Sequence, residues 1–300
     1  MDLQKSSFIN LEDFINSSLG SHQILVIDFS QNKIDSQGLI SLAQALEKCT
    51  KLSSLEIILY QSKINAQSAT ILGSALINCN ELSNLEINLS ETQIDAQVIL
   101  GLCNSISQCV KLQSLYLTLC EIKVSNQDVE NVGVVLSKIP NLLSLTLFLQ
   151  RNQINGKGIC GLMSTLSNYP TLYKLKLDFW QNQFNEQDDA QYLGLTLEKL
   201  SKLKILKLNL NENNLNSDDA QILGNSLAKC TNLFQLNLYL SYNNIGIEGA
   251  QKLCFGLSKC IKLQKLKLRL HTNDILQEQK YLIRQKVWKF KRLVAYKECL

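Results

Sequence analysis

The chain has 300 residues, 45% of them hydrophobic, with two prolines; its net charge of +4 divides into 8 Lys+Arg against 14 Asp+Glu over residues 1–150 and 22 against 12 over residues 151–300. This composition supplies a core and leaves no place for a Pro-rich linker or a low-complexity disordered tract. No run approaches the ~18 continuous apolar residues of a membrane helix, and the opening MDLQKSSFINLEDF has no basic segment leading into an apolar one, so no secretory leader is expected.

In chain order, residues 1–21 come first, an amphipathic N-terminal cap with Phe8, Ile9, Leu11, Phe14 and Ile15. One frame, L-x-x-L-x-L-x-L-x-x-N-x-I, then recurs over residues 22–276. His22 stands in for the first leucine of coil one. Coil two reads Leu52, Leu55, Ile57, Leu59, Ser62, Ile64, and coil three Leu82, Leu85, Ile87, Leu89, Thr92, Ile94. Coil five reads Leu142, Leu145, Leu147, Leu149, Asn152, Ile154, and coil eight Leu233, Leu236, Leu238, Leu240, Asn243, Ile245. The second leucine of the frame falls at Leu25, Leu55, Leu85, Leu115, Leu145, Leu175, Leu206, Leu236 and Leu266. The step is 30 residues throughout with one of 31, whose extra residue is placed in the helix-entry loop at 185–189. Past 276, Ile283, Val287, Phe290 and Val294 at helical spacing predict a basic C-terminal capping helix over 277–300, with Lys280, Arg284, Lys291 and Arg292 on its other side.

Two periods coexist in every coil. L-x-L-x-L alternates with period two, a strand with one face buried. Ala69, Leu72, Ala75, Leu76 and Cys79 are spaced by three and four, one face of a helix. The fold class is therefore α/β: nine parallel strand–helix coils of about 30 residues, strands stacked into a sheet and helices outside. Asn32, Asn152, Asn182, Asn213, Asn243 and Asn273 fall where the chain leaves the strand, where an amide can bond backbone groups of the turn and the next coil. Ser62, Thr92 and Ile122 replace it in coils two to four, so that ladder is expected to be weaker there. Cys49, Cys79, Cys109, Cys230 and Cys260 share a column with Ile139, Tyr169 and Leu200, which marks a buried apolar slot rather than a metal or redox site.

These repeats resemble the ribonuclease-inhibitor-like class of leucine-rich repeats, a horseshoe-shaped solenoid whose coils pair a strand with a full α-helix. The resemblance covers roughly residues 22–276. The additional L-x pair, as in Leu145-x-Leu147-x-Leu149, departs from that class and implies a longer strand and a different curvature. The Asn-, Gln-, Lys- and Ile-rich wording suits an AT-rich genome such as a ciliate's. Proteins similar to this class serve as inhibitors, substrate adaptors, and ciliary or cytoskeletal assembly subunits.

Signals of catalysis are weak. The two histidines, His22 and His271, lie at opposite ends of the repeat array, which argues against His-based triads and His-rich zinc sites. No P-loop or dinucleotide-binding glycine pattern occurs. We expect no catalytic residue, cofactor, metal or small-molecule substrate. The chain is read as intracellular and cytoplasmic, its ten cysteines as reduced thiols, and the sequons at Asn16 and Asn88 as chance matches.

Residues between the strand leucines point away from the core, onto the concave sheet. At ~4.8 Å per strand, nine strands make a face about 40 Å long. It runs from acidic Glu56 and Glu86, past aromatic Tyr60, Tyr116, Phe148 and Trp180, to basic Lys176, Lys207, Lys267 and Arg269, with Tyr239 among the last. Large aromatics beside charges are the composition of interface hot spots. The leading expectation is a non-catalytic module or scaffold that binds a protein partner through these eleven side chains. One alternative is an enzyme regulator such as a GTPase activator, on fold-level likeness to the Ran GTPase activators, although the C-terminus here is basic. Another is nucleic-acid or anionic-membrane binding through residues 261–300, which hold 11 basic and 3 acidic residues interleaved with Trp288, Phe290 and Tyr296.

Overall fold

A computed structural model describes residues 5–92, 94–167, 169, 171–184, 188–200, 202–288, 290 and 293–299. The chain divides into two units, Met1–Val124 with Asn131–Phe148, and Ser125–Glu130 with Leu149–Leu300. The first holds strands β1 (Lys5–Phe8), β2 (Ile24–Asp28), β3 (Ser54–Ile58), β4 (Asn84–Asn88), β5 (Ser114–Thr118) and β6 (Ser144–Phe148). Helices α1 (Leu11–Ile15), α2 (Ser36–Leu46), α3 (Ala66–Asn78) and α4 (Ala96–Ile106) alternate with them, and α5 (Asn126–Leu136) lies in the sequence between β5 and β6. The second unit holds α6 (Gly156–Ser167), β7 (Lys174–Asp178), α7 (Asp189–Leu197), β8 (Ile205–Asn209), α8 (Ser217–Ala228), β9 (Gln235–Tyr239), α9 (Gly246–Leu257), β10 (Lys265–Arg269), α10 (Lys280–Trp288) and β11 (Ala295–Cys299).

All pairings within each unit are parallel and in register. Leu25, Leu55, Leu85, Leu115 and Leu145 stand side by side in the first, and Leu175, Leu206, Leu236 and Leu266 in the second. A thirty-residue repeat returns each leucine to the same place on the next strand. The alternate residues are buried, as Leu55, Ile57 and Leu59 are, and so are helix residues such as Leu39, Leu42 and Leu46. Each such side chain contributes roughly 1.5–3 kcal/mol on burial. The third leucine prolongs the ladder one residue past each five-residue strand: the N–H of Leu59 donates to the Asn88 carbonyl at 2.9 Å, and that of Leu240 to Arg269 at 2.9 Å.

The strand exit has its own machinery. Asp28, Asn88, Asp178 and Asn209 each accept the N–H two residues on, at 2.9, 2.9, 3.2 and 3.1 Å. After Ser90, Trp180 and Asn211 the next residue enters the left-handed region. Gln61, Glu91, Glu121, Arg151, Gln181, Glu212, Tyr242 and Thr272 form one column with φ between 52° and 58°. Non-glycine residues pay about 1 kcal/mol or more for this conformation, and a cross-coil bond offsets it: Glu212 N–H to the Ser241 carbonyl at 3.0 Å, Tyr242 N–H to His271 at 2.8 Å. Helices then begin on side-chain caps. Asp35, Asn65, Asp95 and Asn216 each accept backbone N–H groups of the first turn.

The asparagine ladder is developed in the second unit. Asn243 accepts from the N–H of Asn213 and of Leu215, both at 3.0 Å, and donates to the carbonyls of Leu210 and Leu240, both at 2.9 Å. Asn182, Asn213 and Asn273 repeat the pattern. In the first unit Asn32 is exposed, bonding Ile9, the buried Ser62 hydroxyl has no partner, and Thr92 bonds only within its own turn. The cysteine column is buried as expected; Cys79 Sγ–H donates to the Leu46 carbonyl and Cys230 Sγ–H to Leu197, one coil back.

Two strands exceed the nine read from the frame. β1 pairs with β2, setting Ser6 beside Leu25. There His22 is fixed between Ser6 and Ser17, 3.0 and 2.8 Å from its ring nitrogens, and burial lowers its pKa. At the other end the expected capping helix over 277–300 stops at Trp288. Ile283, Val287 and Phe290 are buried, but Val294 is 77% exposed and opens into β11, which pairs with β10. The backbone N–H groups of Val294 and Ala295 both bond the Gln264 carbonyl, so continuing the sheet outweighs continuing the helix. Lys291 and Arg292, and most of the loop assigned the extra residue of the 31-residue step, lie outside the described residues.

Candidate interaction face

Strand alternation carries all eleven predicted side chains to the side of the sheet opposite the leucines, and all are half-buried. In the first unit Glu56 lies in register with Glu86, and Glu86 with Tyr116. The rings of Tyr116 and Phe148 approach to 5.0 Å between centroids at 50°, a tilted aromatic pair. Tyr60 is held by a residue of the next coil. Its hydroxyl donates to Glu91 Oε1 at 2.5 Å, and Gln61 Nε2 donates to Glu91 Oε2 at 2.7 Å. That bond to Glu91, with some burial, raises the Tyr60 phenol pKa.

The second unit repeats the arrangement. Trp180 Nε1–H donates to Glu212 Oε1 at 2.8 Å, and Gln181 Nε2 to the other carboxylate oxygen. The Arg151 guanidinium lies 5.0 Å from the Trp180 ring centroid and donates to Gln181. Asp178 supports the ring from within the strand. It is 8% exposed and accepts from the Trp180 N–H and, at 2.9 Å, from the Asn209 amide. Burial raises its carboxyl above the usual range; the two hydrogen bonds and nearby Lys176 act in the opposite sense.

Further along the same face, Lys176 is in register with Lys207, Lys207 with Asn237, Asn237 with Lys267 and Lys267 with Lys297. Tyr239 lies between two cations, Lys267 Nζ 5.2 Å and the Arg269 guanidinium carbon 5.0 Å from its ring centroid. Two residues beyond Tyr239, Ser241 is 4% exposed; its Oγ and the Nε of Arg269 are buried with no hydrogen-bond partner.

Solved structures provide the comparison for this fold. No family model matches the chain, and no curated protein matches it in sequence. A chain from the complex of Rad7 and Elc1 in yeast shares 15% identity over 99% of this chain and 69% of its own length, with a TM-score of 0.56. The fold is a leucine-rich-repeat solenoid. Two other matches are leiomodin-1 actin-binding site 2 (17% identity, 53% of this chain and 86% of that one, TM-score 0.41) and the Caenorhabditis elegans tropomodulin C-terminal domain (11%, 55% and 92%, TM-score 0.41).

The solenoid thus brings Tyr116 to Phe148, Glu56 to Glu86, Lys176 to Lys207, and Tyr239 to Lys267 and Arg269. The acidic members belong to the first unit and the basic ones to the second. Gln61, Glu91, Arg151, Gln181, Glu212 and Lys297 escaped the sequence reading. A signal for four of them is present: an aromatic followed by Gln, with Glu one coil later in the same frame. Among the described residues no group of three His, Cys, Asp or Glu side chains is arranged to hold a metal. No described helix is long and apolar enough to cross a membrane.

Proposed function

We propose that the chain is a non-catalytic protein-interaction module that receives a protein partner on the outward side chains of its strands. The observation that carries this reading is the pair of clamped aromatics. Tyr60 and Trp180 are each fixed by a glutamate of the next coil, so each ring meets a partner with its orientation already set. Ordering a large side chain before binding removes an entropic cost of roughly 0.5–1.5 kcal/mol from association. Half-buried Tyr and Trp beside charges match the side-chain preferences of hot spots. We also assign the repeats to the ribonuclease-inhibitor-like class, on the α-helices of nine to thirteen residues that follow β2–β9. Residues 22–276 are taken as the repeat array between end caps at 1–21 and 277–300. An intracellular, reducing setting suits the nine described cysteines, all free.

The test uses the full chain, the variant Trp180→Ala/Lys176→Glu/Lys207→Glu and the variant Tyr60→Ala/Tyr116→Ala. Each is checked for unchanged circular dichroism and used to recover partners from source-cell lysate for mass spectrometry. A partner held by the parent and lost from one folded variant is the expected result. Identical partner sets from all three proteins would remove the sheet face as the binding surface.

A further inference from the structure

We propose that the sheet face of the second unit docks an extended acidic segment of another protein, with its carboxylates along the Lys176–Lys207–Lys267–Lys297 row and against Arg269. This deepens the interaction reading above and rests on it. Four of the five residues in one in-register row are lysines. Neighbouring strands are ~4.8 Å apart, and like charges placed directly opposite destabilise a sheet. Among the described residues no ion pair reaches Lys207, Lys267, Lys297 or Arg269. Lysines on the helical side differ: Lys229 pairs with Glu198 at 2.6 Å, and Lys252 with Glu248 and Asp218 at 2.9 and 3.3 Å. The helical side compensates these charges internally, whereas the sheet side concentrates cations that an anionic partner would neutralise. The strand β11 lengthens the row by Lys297, a contribution that only the folded chain reveals.

One end of the strip also has donors to spare. Arg269 stands in register with Tyr239 on the neighbouring strand, and Ser241 follows Tyr239 on the same face. The Arg269 Nε–H and the Ser241 hydroxyl are buried without acceptors, and a carboxylate is an acceptor for both.

The same face disfavours a nucleic acid. Single-stranded nucleic acids stack bases on aromatic rings. Here Lys267 and Arg269 lie against the Tyr239 ring, and Arg151 lies against that of Trp180. The carboxylates of Asp178 and Glu212, on this side of the sheet, repel a continuous phosphate chain more than they do separate carboxylates. Asn237, within the lysine row, adds an amide suited to a peptide backbone.

Fluorescence anisotropy with the full-length protein at low salt tests this. The probes are a labelled peptide of alternating glutamate and glycine, its lysine–glycine counterpart, and a single-stranded DNA oligonucleotide of matched charge. The glutamate peptide is expected to bind and the lysine peptide not to. Lys207→Glu/Lys267→Glu should weaken binding about tenfold or more, and Lys207→Gln/Lys267→Gln by less. Lys229→Glu/Lys259→Glu, just past α8 and α9, should leave it unchanged. The Gln pair keeps the result readable if charge reversal unfolds the chain. Failure to bind the glutamate peptide, or equal losses in the sheet-side and helix-end variants, overturns the proposal. So does tighter binding of the oligonucleotide with the same dependence on Lys207 and Lys267. If the glutamate peptide fails while Trp180→Ala still removes a partner, the acidic-segment idea falls and the interaction module stands. If neither effect is seen, both fall.

Discussion

At the scale of single residues, the exit from each strand decides more than the leucines do. The leucine frame is visible to the eye, but the left-handed column is not, because none of its eight positions is glycine. Bonds to the next coil hold it at Gln61, Glu91, Arg151, Gln181, Glu212 and Tyr242, and an Asn or Asp three residues upstream supports the turn at Glu91, Gln181 and Glu212. Sequence reasoning therefore found Tyr60 and Trp180 by alternation and missed Glu91 and Glu212, whose role depends on that turn. The asparagine ladder gives a sharp contrast between like-placed residues. Asn243→Ala orphans two buried N–H groups and the Leu210 carbonyl, while the Leu240 carbonyl keeps the Asn273 amide; at roughly 1–3 kcal/mol for each unmet group, partly relieved by water, a loss of about 3–5 kcal/mol is expected. Ser62→Ala removes a hydroxyl that satisfies nothing and should change stability by less than about 0.5 kcal/mol. Urea denaturation of both variants against the parent measures the two values, and equal values would deny the ladder its role.

Among elements, the strands were legible because L-x-L-x-L has one reading once a helical period follows it. The end strands were not. KSSF in β1 has no alternating leucines, and AYKEC in β11 follows a helical pattern whose last apolar member, Val294, proved to be exposed. The spacing of the helices is set by side chains the frame does not specify. A Cβ on Gly256 of α9 would lie 2.3 Å from the carbonyl carbon of Gly224 on α8, a contact with backbone that cannot give way. Gly256→Ala should therefore cost about 1–3 kcal/mol through forced separation of the helices. Gly101 of α4 would meet only the Thr70 hydroxyl oxygen, at 3.1 Å. Gly101→Ala should be neutral or gain up to about 1 kcal/mol of helix propensity. Thermal melts of the pair give the comparison, and a Gly256→Ala protein as stable as the parent would show that the helices can part without loss.

For the molecule as a whole, stability should differ between its units. Both have continuous leucine columns, but the buried amide ladder from Asn182 to Asn273 stitches coils only in the second. Solenoid stability is close to a sum of coil and nearest-neighbour terms, so the unit with weaker stitching opens more readily. In native-state hydrogen exchange, amides of β8 and β9 should outlast those of β3 and β4; the reverse order would place the main stabilisation elsewhere. The cysteine column has a different consequence. Burial pushes Cys49, Cys103 and Cys230 up to about 12 and, as the main cause, Cys79 and Cys109 up to about 11, so the reactive thiolate is scarce at neutral pH. Cys254 and Cys260 are also buried, which leaves Cys120 and Cys160 as the partly accessible thiols among those described. The seven buried thiols are thereby shielded from oxidants while the chain is folded: a disulfide reagent that reached them would be reporting its unfolding.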